Sequence, residues 1–145
     1  MTYLLDVNLL VALFDRQHVN HEASHDWFAR SGIVSWATCP VTENGFLRVI
    51  SNPAYLTVMA TPTEAMDHLE RFCTSSGHVF WTDAISLLVA LGDPAKKRLM
   101  GHGQITDFYL ATLAHHHGGT LATFDGSLAR TLEGTELEKS IEIIE

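Results

Sequence analysis

At 145 residues, with 46% hydrophobic and 18% charged residues, the chain has the size and composition of one globular domain spanning 1–145, which excludes a disordered or low-complexity protein. Its formal net charge of −8 excludes nucleic-acid binding through a general basic surface. The longest uninterrupted apolar run, Leu9 to Phe14, falls well short of the ~18 residues of a membrane span, so the expectation is a soluble, cytoplasmic protein with no membrane partner.

The segment Tyr3 to Val7 reads as a strand that delivers Asp6 to its C-terminal end, and Asn8 is placed to cap a helix over Leu9 to Asp15. No basic region precedes this apolar start, and Asp6 and Asn8 interrupt it, so it reads as fold rather than signal peptide. His21 to Ser31 puts Ala23, Trp27 and Phe28 on one helical face and stops at Gly32, after which Ile33 to Ala37 reads as a second strand. Pro40 opens a helix with Glu43 in its first turn and Phe46, Leu47 and Ile50 as its apolar stripe, ended by Asn52-Pro53. Thr61-Pro62-Thr63-Glu64 is a capping box for a helix that turns Ala65, Leu69 and Phe72 inward. A strand is expected at His78 to Trp81 and a helix at Ala84 to Leu91, with Gly92-Asp93-Pro94 breaking before Ala95 to Met100. Thr106 is placed to cap a helix from Asp107 to His117, and Gly118-Gly119 stops it. Thr120 to Phe124 is a strand ending at Asp125, followed by a short helix over Ser127 to Leu132 and a last strand at Ile141 to Ile144. Cys39 and Cys73 belong to no CxxC pair and read as reduced thiols.

Strands alternating with helices imply a three-layer α/β/α sandwich around a mostly parallel sheet, in which sites form at the C-terminal ends of strands. Asp6 and Asp125 fall at such ends, and Glu43 and Asp107 at helix N-termini, whose positive dipole favours an ionised carboxylate. Four acids from distant segments thus converge on one edge. Like charges about 4 Å apart repel by roughly 4 kcal/mol at an effective dielectric of 20, so such a quartet implies an offsetting cation and chemistry on phosphate esters.

The ordered set Leu5-Asp6-Val7-Asn8, Pro40-Val41-Thr42-Glu43, Thr106-Asp107 and Thr123-Phe124-Asp125 resembles the PIN-domain ribonucleases, in particular the VapC-type toxins of toxin–antitoxin pairs. His18, His21, Ala23 and Trp27, followed by Gly45-Phe46-Leu47-Arg48-Val49, look typical of one VapC subgroup. The resemblance runs from Tyr3 to about Leu128 and carries little information between Pro53 and Leu99. It implies a metal-dependent endoribonuclease, a homodimer held inactive by a small antitoxin, with Asp6, Glu43, Asp107 and Asp125 as its acidic positions.

Hydrolysis of RNA needs an activated water and a polarised phosphoryl group, which Mg²⁺ or Mn²⁺ on carboxylate ligands supplies. Asp6 and Asp107 are expected to bind the principal ion, and Asp125 and Glu43 a second ion or ordered water. Asn8, Thr106 and Thr123 would support them. Arg48, one turn beyond Glu43, either binds phosphate or pairs with Glu43. His115-His116-His117 lacks the i, i+4 spacing of helical zinc pairs, and Lys96-Lys97-Arg98 reads as a solvated helix face. Two other functions fit the acids: a phosphatase with Asp6 as nucleophile, against which Asn8 counts, and a catalytically silent module holding a basic partner in the cleft.

Overall fold

Along β1 (Tyr3–Leu5) the side chains alternate between two apolar layers, Leu4 packing into one cluster and Leu5 into the other, and in the computed structural model, which describes Met1 to Glu145, this alternation organises the chain. β2 (Trp36–Thr38) sends Trp36 to the layer of Leu5 and Ala37 to that of Leu4, and β4 (Thr120–Thr123) divides Leu121 and Ala122 the same way. A sheet buried on both faces needs helices on both, which makes the α/β/α sandwich expected from the element pattern. β3 (His78–Phe80) and β5 (Ile141–Ile143) complete a five-stranded sheet of order β3-β2-β1-β4-β5 with every neighbouring pair parallel.

One layer is built from α1 (Val7–Phe14), α2 (His21–Trp27), α3 (Pro40–Ile50) and α4 (Pro62–Cys73), whose Leu9, Trp27, Phe46 and Leu69 meet Leu5 and Trp36. The opposite layer is dominated by α7 (Ile105–His116), whose Phe108, Ala111 and Leu113 cover Leu4 and Leu121, with α8 (Gly126–Thr131) beside it. Each fully buried leucine contributes about 1.5–3 kcal/mol. From β1 the chain winds outward through β2 and β3, then returns to place β4 on the other side of β1. That reversal opens a crevice at the C-terminal ends of β1 and β4.

Several elements differ from the sequence expectation. Helix α1 starts at Val7, not Leu9, because Asp6 is its cap: the Val7 N–H donates to Asp6 Oδ1 at 2.8 Å, and Asn8 lies inside the first turn. The second strand begins at Trp36 rather than Ile33, since α2 tightens into a π-helical turn over Phe28–Gly32 and Ile33 and Val34 sit on an exposed turn. The strand therefore ends at Thr38. The helix expected over Ala84 to Leu91 contracts to α5 (Leu87–Ala90), which leaves Leu88 and Val89 exposed, and α6 (Asp93–Lys96) follows. Helix α7 starts at Ile105, continuing from a 3₁₀ turn over His102–Gln104, so Thr106 is inside the first turn instead of capping it. The capping box Thr61/Glu64 forms as expected, with both reciprocal bonds at 3.1 Å.

Candidate active site

The crevice beside β1 and β4 is a recess of about 410 Å³ whose lining includes Asp6, Asp107 and Asp125 together with Asn8, Arg48 and Thr106. Asp6 follows the last residue of β1 and is only 7% exposed. Its Oδ1 accepts from the Val7 N–H and its Oδ2 from the Thr123 hydroxyl at 2.7 Å, so the carboxylate is held from both sides. The same Thr123 hydroxyl accepts the Asp125 N–H at 3.1 Å and so ties the ends of β1 and β4 together. Asp125 caps α8: its Oδ1 accepts from the Ser127 N–H, the Ser127 hydroxyl and the Leu128 N–H. Ser127 escaped the sequence reading, although Asp-x-Ser at a strand end is the spacing of an Asx turn.

Asp107 enters from the opposite layer, in the first turn of α7. Burial, then the charges of Asp6 and Asp125, push its pKa up to about 6. Burial also raises Asp6, with Asp125 adding to the shift, although the bonds from Thr123 and Val7 oppose it. Three carboxylates thus face one another with more negative charge than the protein alone compensates. Arg48 is the sole basic residue lining the recess, and its guanidinium lies at the exposed side. Gly45 lets α3 come this close, since a Cβ there would lie 2.5 Å from Val7 Cγ2.

The expected fourth acid is not among them. Glu43 is in the first turn of α3 as anticipated, but α-helical residues rotate about 100° each, so the face carrying Gly45, Arg48 and Val49 into the recess turns Glu43 away. Its Oε2 instead accepts the Thr38 hydroxyl at 2.7 Å at the end of β2. Thr38 Oγ1 also lies 2.8 Å from His78 Nε2, and Glu43, Cys73 and His78 bring one potential ligand atom each within 4.8 Å of one another. Burial and the nearby Glu43 push the Cys73 thiol up to about 11. The quartet read from sequence is therefore a trio plus an acid belonging to a separate cluster, and Arg48 faces the trio rather than pairing with Glu43. Asn8 and Thr106 sit on the recess wall, and Thr123 holds Asp6 directly.

The remaining candidates have structural roles. His115 bonds Ser140 and His117 stacks on Trp81 at 4.3 Å, so the histidine run does not converge on a shared point. Arg98 donates to the Thr131 carbonyl at 2.9 Å. No helix is long and apolar enough to cross a membrane.

A PIN-domain family profile matches residues 3–133. The chain is 42% identical over 130 residues to ribonuclease VapC39 of Mycobacterium tuberculosis, covering 89% of this chain and 92% of that protein. It is likewise 42% identical over 131 residues to ribonuclease VapC44 of the same organism, covering 90% and 91%. Among solved structures it is similar to VapBC2 from Rickettsia felis bound to a DNA fragment from the promoter, with a TM-score of 0.66 at 13% identity over 100% of both chains, a likeness of fold.

Proposed function

The chain belongs to the PIN-domain family as a VapC-type toxin endoribonuclease, and from that premise we propose that Asp6, Asp107 and Asp125 carry its hydrolysis of RNA phosphodiesters. The single observation behind this reading is the convergence of three carboxylates from β1, α7 and the end of β4 in one recess, where Asp107 is pushed up to about 6. PIN ribonucleases depend on divalent metal, and the donor set fits one: it is all oxygen, anionic and uncompensated, which suits hard ions such as Mg²⁺ or Mn²⁺. Asp6 and Asp107 would hold the ion, with Asp125 as a further ligand or a partner of ordered water. A bound dication supplies polarisation of a phosphoryl oxygen and acidification of water.

The chain's own groups do the rest. Thr123 and the Val7 N–H fix the Asp6 carboxylate so that no reorganisation accompanies binding. Ser127 occupies Asp125 Oδ1 and leaves the other oxygen to face the recess. Arg48 grips a non-bridging phosphate oxygen from the exposed side and positions the scissile group against the acids. Asn8 and Thr106, on the recess wall, orient water or phosphate. No lysine and no second acid at the Asn8 position lines the recess, so nothing favours an aspartyl-phosphate mechanism.

The partners proposed are an RNA substrate, a small antitoxin and a second copy of the chain, acting in the cytoplasm as a single domain. The VapBC assembly of the Rickettsia felis neighbour supports the antitoxin. Exposed Leu56, Met59, Leu88 and Val89 support a partner surface. The test is cleavage of total cellular RNA with Mg²⁺ or Mn²⁺, mapped by end sequencing. Wild-type protein should cut at discrete sites and Asp6→Asn should not. Equal cutting by both would defeat the assignment, and no cutting by wild type freed of antitoxin would favour a silent binding module.

A further inference from the structure

The second cluster lies where nothing in the ribonuclease reading needs it. Glu43 comes from the first turn of α3, Cys73 from the last residue of α4, and His78 from the first residue of β3. Three elements separated in sequence deliver a carboxylate oxygen, a thiol sulfur and an imidazole nitrogen within 4.8 Å of one another. All three side chains are partly buried. The imidazole is oriented by packing on Trp36, ring centroids 4.6 Å apart, and Trp36 is itself fully buried. The carboxylate is held by Thr38, whose hydroxyl is 0% exposed and touches both Glu43 and His78. An adjoining surface recess of about 280 Å³, lined by Glu43, Met66 and Cys73 among others, gives an entry path from solvent.

We propose that Glu43, Cys73 and His78 form a binding site for a zinc-class transition-metal dication, separate from the carboxylate recess and independent of its chemistry. The donor set decides the ion. A mixed sulfur, nitrogen and oxygen set suits Zn²⁺ and its neighbours, which bind thiolate at about 2.3 Å and imidazole at about 2.0–2.1 Å, whereas Mg²⁺ and Mn²⁺ prefer oxygen alone. Three protein ligands leave a fourth tetrahedral position for water or a partner's side chain. Thr38 then becomes the outer partner that keeps the Glu43 carboxylate oriented. The ion would clip the edge strand β3 and the C-terminus of α4 to α3, which makes its role structural. Binding requires loss of the Cys73 thiol proton and so strengthens as pH rises.

Co²⁺ is the probe. The full-length metal-free chain with one equivalent of Co²⁺ should show a thiolate-to-cobalt charge-transfer band and the intense visible bands of a tetrahedral centre, both bleached by Zn²⁺. Cys73→Ser should abolish the charge-transfer band, and His78→Gln should weaken Co²⁺ affinity at least tenfold. Asp107→Asn should leave the spectrum unchanged, which separates this site from the recess. In wild-type protein Zn²⁺ should also slow alkylation of Cys73, a readout that needs no variant to fold. Absence of the charge-transfer band, its persistence in Cys73→Ser, or Cys73 alkylation indifferent to Zn²⁺ would each overturn the proposal.

Discussion

Two strands end in a threonine whose hydroxyl holds a carboxylate at 2.7 Å, Thr123 on Asp6 and Thr38 on Glu43, yet the surroundings of the two carboxylates differ. Asp6 stands at the switch point between β1 and β4, where its neighbours are Asp107 and Asp125. Glu43 stands one strand outward, beside Cys73 and His78. The same local device thus serves two donor sets: one hard, anionic and open to a phosphate, the other mixed and suited to a softer ion. Position in the sheet, rather than the identity of the acid, decides which chemistry a carboxylate enters.

The largest effect separating the regions is expected from Asp107→Asn. Loss of an outer partner of a metal ligand already costs about 10–100-fold, so loss of a ligand should lower RNA cleavage by more than about a hundredfold. The fold should survive, because the substitution relieves the repulsion from Asp6 and Asp125. Cleavage assays beside thermal unfolding check both halves. Next comes Thr123→Val, which should cost about 10–100-fold in cleavage by freeing Asp6, while Thr38→Val should leave cleavage within about twofold. Equal losses in the two would erase the distinction drawn between the strand ends.

Smaller effects sharpen it. Arg48→Ala should raise KM about tenfold, equivalent to ~1.4 kcal/mol, with little change in unfolding temperature, since the side chain is exposed and faces the recess. A change in kcat alone would place Arg48 elsewhere in the cycle. The pH dependence follows from Asp107, raised from 3.8 to about 6. A carboxyl group that holds its proton more tightly when folded stabilises the native state at low pH. Metal-free protein should therefore lose stability as pH rises from about 4 through about 6, and Asp107→Asn should flatten that slope in urea titrations. Mn²⁺ affinity should move oppositely, strengthening over the same window as Asp107 ionises.

Much of this was legible in the sequence. Gly118-Gly119, the Thr61 capping box and Pro40 set element ends that the structure reproduces, and Asp6 and Asp125 are readable as strand-end acids because period-2 apolar runs lead straight into them. Glu43 was misplaced for a definite reason. A helix N-terminus can be located from its cap, but the face a residue presents depends on the rotation of the helix against the sheet, and here the approach of Gly45 to Val7 sets that rotation. The second cluster was equally unreadable: Cys73 and His78 have no motif spacing with Glu43, and Thr38 became a strand end only because the strand starts three residues later than its apolar run.

The account turns on which acids share the recess, and one assay decides it: the Mn²⁺-dependent rate of cleavage of a single RNA substrate by Glu43→Gln, run beside wild type and Asp107→Asn. Glu43→Gln should cut within a few-fold of wild type while Asp107→Asn is silent. A folded Glu43→Gln protein as inactive as Asp107→Asn would contradict the separation of Glu43 from the catalytic acids.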